Sequence, residues 1–349
     1  MNLTQQKVVA GLQIKRAYPH KVSKITVEET HISWIFLTGS YAYKIKKDLK
    51  FGKVLDFSTL RLRKRFCQKE VRINRILCSD MYKGIVKIVH QNKNDNSADD
   101  YACNKAKTIR IKNLEHKGKA LEYAVKMAEF PQKFRMDNLI SANKVRLSTI
   151  EKLVETLVKF HFSTPTGASI KNYGQPRFIK KKIIENFDTL SKLSRVEPKF
   201  EIRLTSFINN NKNLFYQRIR QNKIRDIHGD LYLKNIFIAQ NRFYLYDRIE
   251  FNDSLRYADV TEDVAHLSMD LDYHKRIDLR KKLVDSYVSK AGDDSLKNLL
   301  FFWMCYKACV RAKVSLFHAK NERINKKRAS YIKESNDLLE LADTYLQSL

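Results

Sequence analysis

The sequence predicts an α+β protein in two parts, a small antiparallel sheet in the first third and a mainly helical remainder. Two observations carry this. Between Lys21 and Met127 short runs rich in β-branched and aromatic residues alternate with turn residues, whereas from Asp137 onward apolar residues recur at helical spacing. A chain of 349 residues is also too long for one simple core and suits two domains. The break falls where Leu121–Met127 runs into Ala-Glu-Phe-Pro-Gln, dividing the chain into 1–127 and 128–349.

In the first part, Lys21–Val27, His31–Leu37 and Tyr41–Lys46 are broken at Glu28–Thr30 and at Thr38-Gly39-Ser40, so three antiparallel strands in a row are expected. Leu60–Leu77 has helix length, and Leu62, Phe66, Ile73 and Leu77 form an apolar stripe with Glu70 in its middle. A carboxylate there is costly unless a cation meets it; the plain alternative is that Glu70 edges the stripe and reaches solvent. Ile85–His90, Thr108–Lys112 and Ala120–Met127 continue the sheet around a polar loop, Gln91–Ala106, expected to be mobile.

In the second part, Leu147–Phe162 reads as a helix stopped by Ser163-Thr164-Pro165, and Pro165–Asn222 as a further helical, basic stretch. Val260–Tyr273 sets Val264, Leu267 and Leu271 on one face, which leaves Asp270 and Asp272 as helix-surface residues. Leu279–Ser289, Leu296–Ala319 and Tyr331–Leu346 complete the helical part. Between these lies Ile224–Ile249. Its Asp226–Leu231 segment mixes apolar residues with a His228-Gly229-Asp230 that no core strand would choose, so it reads as a loop built to hold polar groups. Ile236–Ile238 and Phe243–Tyr246, separated by Ala239–Arg242, predict a hairpin. Symmetric pairing sets Asn235 opposite Tyr246 and brings Asp247 within one residue of it, so Asp230, Asn235 and Asp247 converge. A carboxylate able to accept a hydroxyl proton, beside an amide and a second carboxylate able to hold Mg²⁺, is the arrangement phosphoryl transfer needs.

This stretch, H-G-D-L-x-x-x-N followed by a hairpin ending in Asp, resembles the catalytic and metal-binding segments of the aminoglycoside phosphotransferase family, small-molecule kinases with a protein-kinase-like fold. Asp247–Asp263, Glu29–Lys47 and Leu55–Leu60 are similar to an uncharacterised branch of that family, so the resemblance covers most of the chain. It implies a bilobal fold, ATP and Mg²⁺ as cofactors, and transfer of the γ-phosphate to a hydroxyl of a small-molecule acceptor. By the same resemblance Asp230 is the catalytic base, and Asn235 and Asp247 hold the metal. Lys44, preferred over Lys46 two residues on, binds nucleotide phosphates and is oriented by Glu70, while main-chain groups from Met127 to Phe130 receive adenine. Pro165–Asn222 would help to shape the acceptor site. His228 then reads as a structural loop residue, and Asp263, with Asp259, as a helix-start carboxylate that holds the catalytic loop. Glu250, Asn252, Asp253 and Arg256 fit acceptor recognition and a solvated loop equally.

Several residues depart from the family pattern. Gly229 stands where many protein kinases place the Arg that reads an activation-loop phosphate, and Tyr232 where close relatives often carry His. Asp247-Arg248-Ile249 is not Asp-Phe-Gly, and the Glu28–Thr30 turn lacks a glycine to cover phosphates. No G-x-x-x-x-G-K-S/T run occurs, so the second, P-loop domain of many relatives is expected to be absent or supplied by another chain.

The formal charge of +29 permits two interpretations, a polyanionic partner such as nucleic acid or a Lys-rich solvated surface. The basic residues are spread along the chain without a recognised nucleic-acid module, which favours the solvated surface. The alternative to a kinase is therefore a nucleic-acid-associated or catalytically inactive kinase-like binding protein. The longest apolar run, Leu299–Cys305, falls far short of the roughly 20 residues a membrane span needs. The N-terminus lacks the order of a signal peptide, so a cytoplasmic protein without membrane attachment is expected. Five cysteines without C-x-x-C spacing are expected as free thiols.

Overall fold

The computed structural model describes residues 3–52, 54–91, 109–194, 197–322 and 324–349. Beyond Gln91 the expected polar loop lies outside them, as does Cys103. The described chain forms two compact units, Met1–Pro131 with Glu250–Asn252, and Gln132–Ile249 with Asp253–Leu349.

The first unit holds α1 (Leu3–Gly11), β1 (Thr26–Glu29), β2 (Ser33–Leu37), β3 (Tyr41–Lys46), a short ribbon of β4 (Lys50–Phe51) and β5 (Leu55–Asp56), α2 (Leu60–Cys78), β6 (Tyr82–His90), β7 (Ile109–Lys112) and β8 (Ala120–Ala128). Six strands form one antiparallel sheet in the order β1-β2-β3-β8-β6-β7. The first strand is Thr26–Glu29 rather than Lys21–Val27. β1 is exposed at every position on the sheet edge, so no buried alternation marks it, while Val22 is spent on the core from irregular chain. β6 starts at Tyr82 rather than Ile85 because Gly84, at φ +143°, absorbs a register shift against β8. Helix α2 is capped by Thr59, whose hydroxyl accepts from Leu62 N at 3.2 Å. It packs on β8 and β6 with Cys67, Glu70, Val71, Ile73 and Leu77 buried.

The second unit begins with α3 (Met136–Ser141), α4 (Leu147–Ser163), α5 (Ala168–Lys171), α6 (Pro176–Ser191), α7 (Lys199–Asn210) and α8 (Lys212–Arg220). Four short strands follow, β9 (Ile224–Asp226), β10 (Ile236–Ala239), β11 (Arg242–Leu245) and β12 (Tyr257–Asp259). Helices α9 (Thr261–Tyr273), α10 (Ile277–Ala291), α11 (Lys297–Asn321) and α12 (Asn325–Leu346) complete it. The α+β class is as expected, a sheet-bearing N-terminal unit and a mainly helical C-terminal one. The hairpin is one residue tighter at each end than expected, turning on Gln240 and Asn241 at φ +50° and +60°, the left-handed pair that matches strand twist.

Helix α9 overturns one expectation. It is packed by α10, α11 and α12, and every residue from Thr261 to Asp272 is buried, so it has no solvent face on which to place Asp270 and Asp272. Each is 8% exposed. Asp270 accepts the Leu233 amide at 2.8 Å, and Asp272 meets Arg280 and the Tyr345 hydroxyl, both at 2.8 Å. Cys67, Cys78, Cys305 and Cys309 are buried, and no disulfide joins them. Among the described residues no helix is long and apolar enough to cross a membrane.

Candidate active site

The His228-Gly229-Asp230 loop leaves β9, which is pinned antiparallel to β12 by the pairs Asp226 with Tyr257 and Ile224 with Asp259. Gly229 sits at φ +88°, and a Cβ there would lie 2.8 Å from the Leu255 carbonyl oxygen, so glycine is required twice over. Asp263, in the first turn of α9, uses both oxygens on this loop, accepting His228 N at 2.7 Å and Gly229 N at 2.9 Å. His161 Nε2 stands 3.1 Å from the same carboxylate and is held from behind by the Tyr287 hydroxyl at 2.7 Å. Burial opposes the Asp263 charge, but His161 and the loop donors outweigh it and hold the carboxyl below its usual range.

His228 is fully buried and donates Nε2–H to the Tyr246 carbonyl at 3.0 Å, tying the loop to the strand end before Asp247. Burial lowers its pKa to about 4, so it stays neutral and structural. Arg248 follows Asp247 and turns inward. Its guanidinium, 4.7 Å from the Phe160 ring centroid, donates to the Asp226 carboxylate at 2.9 Å and to the Ile227 carbonyl at 3.1 Å, fixing the root of the loop. Arg256 bonds the same Asp226 carboxylate and donates to the Ile249 carbonyl at 2.9 Å. Arg256 is therefore a buried brace and not part of a solvated loop.

Asp230 and Asn235 are brought together: Asn235 Nδ2 donates to the Asp230 carbonyl at 2.9 Å and lies 3.4 Å from its Oδ2. The Tyr246 amide donates to the Asn235 carbonyl at 3.1 Å, the pairing expected from the hairpin, and Asp247 is the next residue. Asp247 adopts φ +65°, a left-handed backbone uncommon for residues other than glycine. Although 38% of the Asp230 side chain is exposed, the protein crowding its remaining sides raises its pKa; Arg311 opposes this and Asp247 adds to it. A carboxylate so raised is a better proton acceptor than an ordinary one.

In the first unit Glu70 is fully buried and joins two lysines, Lys44 at 3.0 Å and Lys46 at 2.7 Å. Burial would raise its carboxyl, but Lys44 and then Lys46 outweigh that cost and hold it well below the usual carboxylate range. Glu250, where the chain re-enters this unit, also bonds Lys46 and is buried, which removes it from a solvated loop. Lys46 is 0% exposed, enclosed by two carboxylates and the Phe57 ring, whereas 7% of the Lys44 side chain stays accessible. Met127 is buried in the ladder between Ala42 and Tyr82, and Phe130 follows the strand half-buried. The amides of Ala128 and Glu129 between them already donate to Met81 and Ser40.

A cavity of about 370 Å³ in the second unit is lined by Tyr232, Asp270, Tyr273, Arg311, Tyr331 and Glu334 among others. Arg311 lies 4.2 Å over the Tyr232 ring, two residues along from Asp230. Arg248, His266 and Arg311 received no role from the sequence, and Glu250 was singled out without its lysine partner. Only the Glu250-Phe251-Asn252 run behind Asp247 gave any signal, and it did not say what Glu250 would meet.

No family model matches the chain. It is 29% identical over 296 residues to uncharacterised proteins of Mycobacterium tuberculosis and Mycobacterium bovis, covering 83% of this chain and 54% of theirs. The chain thus spans about half the length of the curated relatives it matches. Among solved structures it is similar to a choline/ethanolamine kinase family protein from Mesorhizobium loti, at TM-score 0.48 and 10% identity over 99% of this chain and 100% of that one. It is also similar to an apo aminoglycoside phosphotransferase, at TM-score 0.48 and 10% identity over 94% and 95% of the two chains.

Proposed function

We propose that this protein is an ATP-dependent phosphotransferase that moves the γ-phosphate to a hydroxyl of a small molecule. The observation that carries the reading is the Asp230 loop, a raised carboxylate held beside Asn235 and Asp247 on a backbone bonded at two successive amides by Asp263. In the reaction the acceptor oxygen bonds to the γ-phosphorus, the bond to the bridging oxygen breaks, ADP leaves, and the hydroxyl proton passes to Asp230. Asn235 and Asp247 supply hard oxygen donors of the kind Mg²⁺ takes. Nδ2 of Asn235 is engaged by the Asp230 carbonyl, which leaves its Oδ1 as the ligand atom. Bound Mg²⁺ would neutralise phosphate charge as it develops. Lys44, oriented by Glu70, is the lysine with access to a phosphate, and the 127–130 segment would meet adenine. The 370 Å³ cavity is of a size for a small metabolite, with Tyr232 and Arg311 on its wall nearest Asp230 in sequence and charge.

Nucleotide binding tests this without knowledge of the acceptor. ATP with Mg²⁺ at a hundred times its Kd should stabilise the protein by about 2.7 kcal/mol and raise the melting temperature by several degrees. Asp247→Ala should remove the metal-dependent part of that shift, and Lys44→Ala should weaken it with or without metal. An unchanged shift in Asp247→Ala would take Asp247 out of the metal site, and no shift with any nucleoside triphosphate would leave a kinase-like protein without activity.

A further inference from the structure

Helix α9 carries a histidine that the reaction above does not use. His266 is 1% exposed, and neither ring nitrogen has a hydrogen-bond partner. A buried polar group left unmet is costly, so an imidazole at this depth needs a reason. Its ring stacks on Tyr232, centroids 5.5 Å apart and planes 12° apart, which fixes the plane of the imidazole. Nδ1 stands 3.8 Å from Asp230 Oδ1, while the other oxygen of Asp230 faces Asn235. The gap exceeds a hydrogen bond by under an ångström, which a small torsion of either side chain closes; catalytic hydrogen bonds are commonly long before substrate binds.

We propose that His266 is a positioning residue for Asp230, a neutral imidazole that donates its Nδ1 proton to Asp230 Oδ1. The bond holds the carboxylate at one rotation and leaves its remaining lone pairs for the acceptor hydroxyl. This rests on the reading of Asp230 as the base. The charges around the pair agree with a neutral donor. Burial, then Lys307 and Arg311 of α11 and His228 of the loop, push the His266 pKa well below the usual imidazole value. Asp230 faces Arg311 and Lys307 on one side and Asp247 and Asp263 on the other. A neutral ring presents one N–H and one lone pair, and only the N–H is attracted by a carboxylate.

The test uses the full chain labelled with ¹⁵N at histidine, the His266 signals being identified by their loss in His266→Gln. At pH 7 the ring should be neutral with its proton on Nδ1. In Asp230→Ala that proton should move to Nε2, or exchange with solvent about tenfold faster, the factor that one lost hydrogen bond of about 1.4 kcal/mol produces. A wild-type proton on Nε2, or an Nδ1 proton indifferent to Asp230→Ala, overturns the proposal. If His266→Gln does not fold, the signal is identified in the wild type by its proximity to the Tyr232 ring. No turnover is read, so the proposal and the catalytic role of Asp230 can fail separately.

Discussion

Asp230→Asn should lower acceptor-stimulated ADP release by about a hundredfold or more while leaving the ATP-induced rise in melting temperature intact. The substitution keeps the shape of the side chain and all the main-chain bonds at the position. The Asp230 carbonyl still receives Asn235 Nδ2, and the two loop amides anchored on Asp263 belong to His228 and Gly229. What it removes is the one group placed to take the acceptor proton. Because 38% of the Asp230 side chain is exposed and the amide keeps its shape, stability should change little. Turnover should therefore fall without a matching rise in the KM for ATP, the pattern of an interaction made only in the transition state. Wild-type turnover by Asp230→Asn on a true acceptor would sink the assignment.

How far the sequence could be read depended on whether an element has two distinguishable faces. Helix α2 has an exposed and a buried side, so its stripe and the anomalous Glu70 within it were legible, and the hairpin announced itself by two β-prone runs around a short polar turn. Asp263 was legible through the resemblance, since Glu262 in the same first turn pairs with Lys182 and Lys307 instead. Helix α9 is buried on all sides, so periodicity assigned Asp270 and Asp272 to a surface that does not exist and passed over His266. β1, exposed throughout, and β9 and β12, three residues each, fail for the opposite reason, too little burial or too little length to leave a pattern. The Lys44 preference was a choice between two residues on one strand, and a single sequence holds no information on which lysine a distant glutamate will enclose. Glu250, from a loop some two hundred positions away, encloses Lys46.

Lys46→Met should cost about 3–5 kcal/mol of stability, more than any surface substitution in the first unit, because it breaks a buried charge network from the inside. Lys44, Lys46, Glu70 and Glu250 balance two positive against two negative charges, and without Lys46 two buried carboxylates share one cation. Glu250 already has its pKa raised by burial, with Lys46 the main force opposing the rise, so removing that lysine should raise it further. A carboxyl whose pKa is higher in the folded state than in the unfolded one binds its proton more tightly when folded. Stability is then lost as the pH rises through the folded value. The penalty of Lys46→Met, measured by urea unfolding, should accordingly be larger at pH 8 than at pH 5. Glu250→Ala should behave differently. It removes the raised carboxyl itself, whose contribution to stability is present at low pH and lost as the pH rises, so its penalty should be smaller at pH 8 than at pH 5. Replacing both at once, Lys46→Met with Glu250→Leu, leaves the neutral Lys44–Glu70 pair in an apolar setting and should recover most of the loss, as buried pairs exchanged whole for apolar groups commonly do. Additive penalties in the double variant, or a Lys46→Met penalty independent of pH, would mean that Glu250 and Lys46 do not form one buried unit.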